Sequence, residues 1–237
     1  MKGGKPVLLI MFFLFFHSVL YSTPADTTSI IDNIYNYDFA KASERLSKLS
    51  EKDLLISEAL NLEIKWWMSL ERGNQNKFAD FLNTLNQFEK ASNDNFSEIL
   101  FSTYRMRYYA ISKKYYLIPF MFIKIQKQIS GVDVAQLKSS SSAGYELFIL
   151  YKSFLTLVQN SIFYDRFLPD LYHKQELIED IKSIVEHGSS PNRTIGTYFL
   201  MKYYLDVEKD KPKALIYLTT LHTQYPNNLI FTQLLTR

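Results

Sequence analysis

Apolar side chains recur along most of the chain with a period near 3.6 residues, the spacing of one face of an α-helix. Glycine, proline, asparagine and serine interrupt this pattern, and such residues mark turns between helices. Strict alternation of apolar and polar residues does not extend over any useful length, so we expect less than about a tenth of the residues in strands. The pattern predicts eleven helices, at 30–37, 39–49, 54–71, 77–90, 96–111, 115–129, 144–163, 175–187, 194–207, 211–225 and 229–235.

Between the sixth and seventh of these helices the sequence becomes polar. The stretch begins after Gly131 and ends in the serine run 139–142. Serine-rich segments between periodic segments are typical of loops. The sequence therefore predicts a surface loop here, with antiparallel hairpins on both sides of it.

Two apolar stripes on the helix at 54–71 indicate that the hairpins are stacked. One stripe runs through Ala59, Leu62 and Trp66, and the other runs beside it through Leu60 and Trp67. A helix that is apolar on two adjacent faces must be covered from two sides. In a stack of hairpins, the first helix of each pair packs on its own partner and on the preceding pair. The sequence thus predicts an all-α fold of stacked hairpins.

A spaced sequence pattern occurs near both ends of the chain. Five identical residues stand at the same spacing in two copies, Asp38-x-x-Lys41-Ala42-x3-Leu46-x2-Leu49 and Asp210-x-x-Lys213-Ala214-x3-Leu218-x2-Leu221. The separation of the copies is close to five steps of about 34 residues, the period of helix-turn-helix repeat arrays. A weaker copy begins at Asn74. The pattern predicts about five repeated hairpins followed by a short capping helix.

The last hairpin resembles a tetratricopeptide repeat. The residues that carry the resemblance are Tyr198, Met201 and Leu205 on the first helix, Ala214 and Leu218 on the second, and Pro226 after it. Lys202 stands where the family prefers glycine or alanine, and Leu221 stands where it prefers alanine. The resemblance implies a right-handed solenoid that binds a protein or peptide along its concave face, without a substrate or a cofactor. The chain as a whole is similar to exported bacterial repeat proteins of undefined role.

The first 25 residues have the layout of a secretory signal peptide. Lys2 and Lys5 precede an unbroken apolar run at 7–16, and small or polar residues follow, with candidate cleavage sites after Ser22 and Ala25. The apolar stretch is shorter than the roughly 20 residues that a membrane-spanning helix needs. We therefore expect an exported protein, periplasmic or secreted, whose domain covers residues 26–237. An uncleaved segment that anchors the protein to a membrane is the alternative.

Composition excludes several kinds of function. The chain contains no cysteine, which rules out disulfides, thiolate metal sites, thiol catalysis and lipid attachment at a signal-peptide cysteine. Without Lys2 and Lys5, 25 basic residues face 24 acidic ones. The basic residues are scattered among acids and aromatic residues, whereas a nucleic-acid surface requires a one-sided cluster. We expect no nucleic-acid partner.

Motifs that carry catalysis are not recognisable in the sequence. Its histidines outside the signal segment stand singly, without the spacing of a metal site, and its seven glycines form no phosphate-binding loop. We therefore expect no metal, no cofactor and a non-catalytic protein. An enzyme with a dispersed site around His173, Glu176 and Asp165 remains an alternative.

Large aromatic residues on the first helices are the candidate contacts with a partner. Interface energy concentrates in a few such anchors, and the best candidates are Trp67, Tyr104, Tyr108 and Tyr203. Two interpretations stay open, because aromatic residues at helical spacing also fill hydrophobic cores. The sequence analysis favours a non-catalytic interaction scaffold outside the cytoplasm, whose partner it does not identify.

Overall fold

The computed structural model describes residues 24–49, 54–70, 77–91, 95–163 and 173–236. These segments are helical and contain no strand. Residues 1–23 of the predicted signal segment lie outside the described residues, and so does Asn74, the first position of the weaker copy of the repeated pattern; the rest of that copy lies in the helix that begins at Lys77. The α-helices in the described part of the chain are α1 (Pro24–Tyr35), α2 (Phe39–Leu46), α3 (Leu54–Leu70), α4 (Lys77–Ala91), α5 (Asn95–Ile111), α6 (Ile118–Ser130), α7 (Val134–Ser140), α8 (Ser142–Phe163), α9 (Lys174–His187), α10 (Ser190–Lys202), α11 (Lys211–Gln224) and α12 (Leu229–Leu235).

The predicted loop after Gly131 is wrong, because α7 occupies most of it. Asp133 caps this helix: its side chain accepts a hydrogen bond of 2.9 Å from the backbone nitrogen of Gln136. The hydroxyl groups of Ser139 and Ser140 donate to main-chain carbonyl groups one turn earlier. The serines thus bond back to the helix, and Leu137 is its buried contact with the core.

Five antiparallel pairs form the body of the molecule. The first helix of each pair is α1, α3, α5, α8 or α10, and it packs against α2, α4, α6, α9 or α11 respectively. The first helices also contact one another in order along the chain. The contacts that join them are the rings of Tyr35 and Trp67, a hydrogen bond between Tyr104 and Glu63, the rings of Phe96 and Phe148, and the rings of Tyr151 and Phe199.

The two ends of the chain meet, which an open solenoid does not predict. Helix α1 packs against α10, and the hydroxyl of Tyr225 donates to Asp32 across 3.0 Å. The side-chain nitrogen of Asn228 donates to the main-chain carbonyl of Tyr35 across 2.9 Å. Since each hairpin of an open array touches only its neighbours, the first and last would be apart. Here the five first helices form a closed ring, and α2, α4, α6, α9 and α11 form an outer layer.

The segments that begin α2 and α11 have the same capping geometry. Asp38 accepts hydrogen bonds from the backbone nitrogen and the side chain of Lys41, at 3.4 and 2.6 Å. Asp210 accepts the same two bonds from Lys213, at 3.1 and 2.9 Å. The alanine after each lysine is buried, and these residues are Ala42 and Ala214. The spaced pattern in the sequence therefore specifies the same local structure at both positions.

Candidate interaction face

The four predicted contact residues do not form an exposed surface. Trp67, Tyr104 and Tyr203 are completely buried, and Tyr108 is half-buried. In this conformation these three residues have no exposed surface for a partner, and their role as partner contacts stays a prediction. The physical reason for their burial is the closed ring, because the face that an open array would present to a partner packs here against the other first helices.

Glu63 lies at the centre of this buried face. The carboxylate is fully buried, and its Oε1 accepts a hydrogen bond of 2.8 Å from the indole nitrogen of Trp67. Its Oε2 accepts a hydrogen bond from the hydroxyl of Tyr104. Two of the predicted contact residues thus hold a buried charge in place. A buried charge is tolerated when it is paired and hydrogen-bonded.

Arg107 provides the opposite charge. Its side chain is also buried, with Nη1 4.0 Å from Oε2 of Glu63, and its guanidinium carbon lies 4.7 Å from the centre of the Tyr104 ring. Within the described residues neither Nη1 nor Nη2 has a hydrogen-bond partner. Glu63 and the ring of Tyr104 therefore supply the compensation that the structure shows for this cation. Because Glu63, Tyr104 and Arg107 are buried, they have a structural role in this conformation.

Five of the buried tyrosines have a hydroxyl pKa above the ordinary value. Burial is the main cause that raises the pKa of each hydroxyl, since it disfavours the charged form, and the negative charge of Glu63 adds to the rise for Tyr35 and Tyr104. The residues with a raised pKa are Tyr35, Tyr104, Tyr151, Tyr198 and Tyr225. All five are neutral in the folded protein near pH 7.

Tyr203 belongs to a second polar group, which reaches the surface at Glu208. After α10 the backbone widens into a π-helix, Tyr203–Val207, and the hydroxyl of Tyr203 donates to Glu208 across 2.6 Å. Lys174 from α9 also pairs with Glu208. A buried ion pair joins Lys202 and Asp206 beside it. The departure from the repeat family at Lys202 is therefore accommodated by a buried acid one turn later.

The alternative catalytic residues are at the surface. His173 and Glu176 lie 3.4 Å apart, but their side chains are 81% and 74% exposed. Asp165 lies outside the described residues. Within the described chain no group of histidine, aspartate and glutamate side chains could hold a metal ion.

A shallow surface recess lies between α1 and α2. Three of its charged lining residues form ion pairs on α2 or beside it, Lys41 with Asp38 and Lys48 with Glu44. The hydrogen bond from each lysine lowers the pKa of its partner carboxyl group. These are ordinary exposed pairs, and such pairs contribute little to stability. The recess brings no catalytic groups together among the residues described.

The most unusual surface is on the outer helix α6. Tyr116, in the turn before the helix, is 70% exposed, and Phe120 and Ile123 are both 68% exposed. These residues follow one another at intervals of four and three positions, so they form one stripe along the helix. Lys127 continues the stripe by one further turn and is exposed. We call Tyr116, Phe120, Ile123 and Lys127 the α6 face.

The surroundings of the α6 face carry positive charge. Lys113 and Lys114 are exposed at its beginning, and Lys124 is exposed beside Ile123. Residues 99–132 contain no aspartate or glutamate. The nearest acids in sequence are Glu98, which accepts a hydrogen bond from Gln128, and Asp133, which accepts one from the backbone nitrogen of Gln136. The α6 face is thus an exposed apolar stripe with lysines at both ends.

The tetratricopeptide resemblance did not point to this face, for an identifiable reason. It placed the contacts on first helices, where a concave surface of the repeat family would lie, and α6 is a second helix. A signal was present in the sequence, because 99–132 combines six lysines and arginines with no acid and many aromatic residues. A count over the whole chain, in which basic and acidic residues nearly balance, hides this local excess of basic residues.

Comparisons with known proteins leave the chain without an assigned family. No family model, no curated protein and no solved structure matches it. Among the described helices, none has both the length and the apolar character required to cross a membrane.

Proposed function

We propose that this protein is a non-catalytic interaction protein that acts outside the cytoplasm and contacts its partner through the α6 face. The observation that carries the proposal is the exposure of three large apolar side chains, Tyr116, Phe120 and Ile123, in one stripe on a rigid outer helix. Exposed apolar stripes of this kind mark sites of interaction. In this proposal the first 25 residues direct export, and the ring of first helices is the support that fixes the position of α6.

The proposal keeps the scaffold character that the tetratricopeptide resemblance implies and moves the contact surface to the outside of the molecule. The inner side of α6 packs into the protein, because its residues Phe122, Ile125 and Gln128 are buried. The side-chain nitrogen of Gln128 donates to Glu98 of α5 across 2.6 Å, which connects the two helices. A partner that binds the α6 face thus meets a surface already ordered before contact.

Site-specific photo-cross-linking in producing cells tests this proposal. A benzophenone amino acid at position 123 should give a covalent adduct, whereas the same group at position 216 should give little or none. Ile216 is a matched control, since it is also an isoleucine on an outer helix and is 64% exposed. The mass of the adduct identifies whether the partner is a protein or a lipid. Equal adduct yields at both positions, or no adduct at either, would refute a role for the α6 face.

A further inference from the structure

The shape and charge of the α6 face restrict the kind of partner. Its apolar side chains project from a convex outer helix, each with about two-thirds of its surface in solvent. A rigid protein partner would need a groove that matches these projections, whereas a lipid surface deforms around them. Amphipathic helices that bind membranes lie in the interface with aromatic and aliphatic residues inserted and lysines at the headgroups. Phenylalanine and tyrosine are suited to the membrane interface. Both have an apolar ring, and the hydroxyl of tyrosine is a polar tip.

The lysines of the α6 face and its surroundings indicate that the partner surface is negatively charged. Lys113 and Lys114 lie at one end of the stripe, and Lys124 and Lys127 lie at the other. Lys113, Lys124 and Lys127 form no ion pair with any residue that the structure describes. Long lysine side chains can keep their ammonium groups at the headgroups while neighbouring apolar groups go deeper. Each such lysine is attracted by an anionic lipid surface.

We propose that the α6 face binds the surface of an anionic lipid bilayer, with Phe120 and Ile123 inserted into the interface and the four lysines at the phosphate groups. This inference rests on the proposed function, because it names the partner of the same face. It concerns peripheral contact by a folded helix and is independent of whether the first 25 residues are cleaved.

The absence of cysteine from the chain permits a local test on the full-length protein. Ile123→Cys, labelled with a polarity-sensitive NBD fluorophore, reports the environment of the α6 face alone. Ile216→Cys with the same label is the control on α11. With vesicles of phosphatidylcholine and phosphatidylglycerol, the probe at 123 should shift to the blue and brighten about twofold or more, as expected for insertion into the interface. The probe at 216 should not change.

The charge requirement is tested by vesicle composition and by salt. Vesicles of phosphatidylcholine alone should give no response at 123, and raising the ionic strength to molar levels should weaken binding about tenfold or more, because salt screens the lysines. The double substitution Lys124→Glu and Lys127→Glu should abolish the response without changing the circular dichroism spectrum. Because these lysines are exposed, the substitution should not disturb folding.

Three results would overturn the lipid assignment. One is an NBD fluorophore at position 123 whose emission does not change although the protein sediments with the vesicles. Another is an equal response to neutral vesicles. The third is a cross-link from position 123 to a protein in cells, combined with no response to vesicles, and this result would leave the proposed interaction function intact.

Discussion

Glu63→Gln should lower the free energy of unfolding by about 3–5 kcal/mol, the usual cost of breaking a buried ion pair by removing one partner. Glutamine is close to glutamate in size, so packing is nearly unchanged: its amide oxygen can still accept the hydrogen bond from Trp67, and its amide nitrogen can donate to the hydroxyl oxygen of Tyr104. The substitution removes the charge that faces the buried guanidinium of Arg107 at 4.0 Å. Urea unfolding at pH 7 measures the loss.

A double variant separates charge from packing. Replacing a buried ion pair by neutral groups of similar volume is often close to neutral in stability. Glu63→Gln combined with Arg107→Met should therefore recover most of the loss that either substitution causes alone. A Glu63→Gln protein as stable as the parent, or a double variant whose loss is the sum of both single losses, would contradict the pairing of these two charges.

The protein should unfold cooperatively in alkali, starting above about pH 10, the ordinary pKa of tyrosine. In the unfolded chain the five buried tyrosines lose their protons near that pH, whereas burial keeps their pKa higher in the folded chain. Their contribution to stability is complete below pH 10 and falls as the pH rises. In this range each tyrosine lowers the free energy of unfolding by about 1.4 kcal/mol per pH unit. The five together lower it by roughly 7 kcal/mol per pH unit.

Two spectroscopic signals check this prediction in one titration. Tyrosinate absorbance from the buried tyrosines should rise together with the loss of helical circular dichroism. Tyr151→Phe should reduce the pH dependence of stability by about 1.4 kcal/mol per pH unit, because one coupled proton is removed. Buried tyrosines that ionise before the helices unfold would contradict the burial described above.

The sequence predicted the helices well where their pattern was local. The all-α class is confirmed for the described residues, and the helix predicted at 54–71 includes all of α3, Leu54–Leu70. Its position follows from apolar periodicity, which is determined by neighbours within a few turns. The segment after Gly131 was predicted wrongly because serine occurs both in loops and in short helices, and its hydroxyl can bond back to the helix.

The closed ring could not be deduced from periodicity. Its evidence is long-range, in bonds such as Asn228 to Tyr35 and Tyr225 to Asp32, and neither residue pair is marked by a local pattern. One clue was available on α3. Because its apolar residues cover two faces, Glu63 between Leu62 and Ile64 had little solvent-facing surface left, and a buried acid needs a partner such as Arg107. The predicted contact residues Trp67, Tyr104 and Tyr203 are buried for the same reason, since closure turned the first-helix face into a core.

A distance between two spin labels tests the closed ring most directly. The labels are placed at Ala40→Cys, at the beginning of α2, and Asn227→Cys, just before α12, both exposed positions in a chain without native cysteine. The ring centres of Tyr35 and Tyr225, which lie close in sequence to the two label positions, are 4.7 Å apart. Electron paramagnetic resonance should therefore give a distance between the labels within roughly 25 Å. An open array of five hairpins, with steps of about 9–10 Å, would separate the labels by roughly 40 Å. The shorter distance is the result predicted here, and the longer one would return the first-helix face to the solvent and contradict this account.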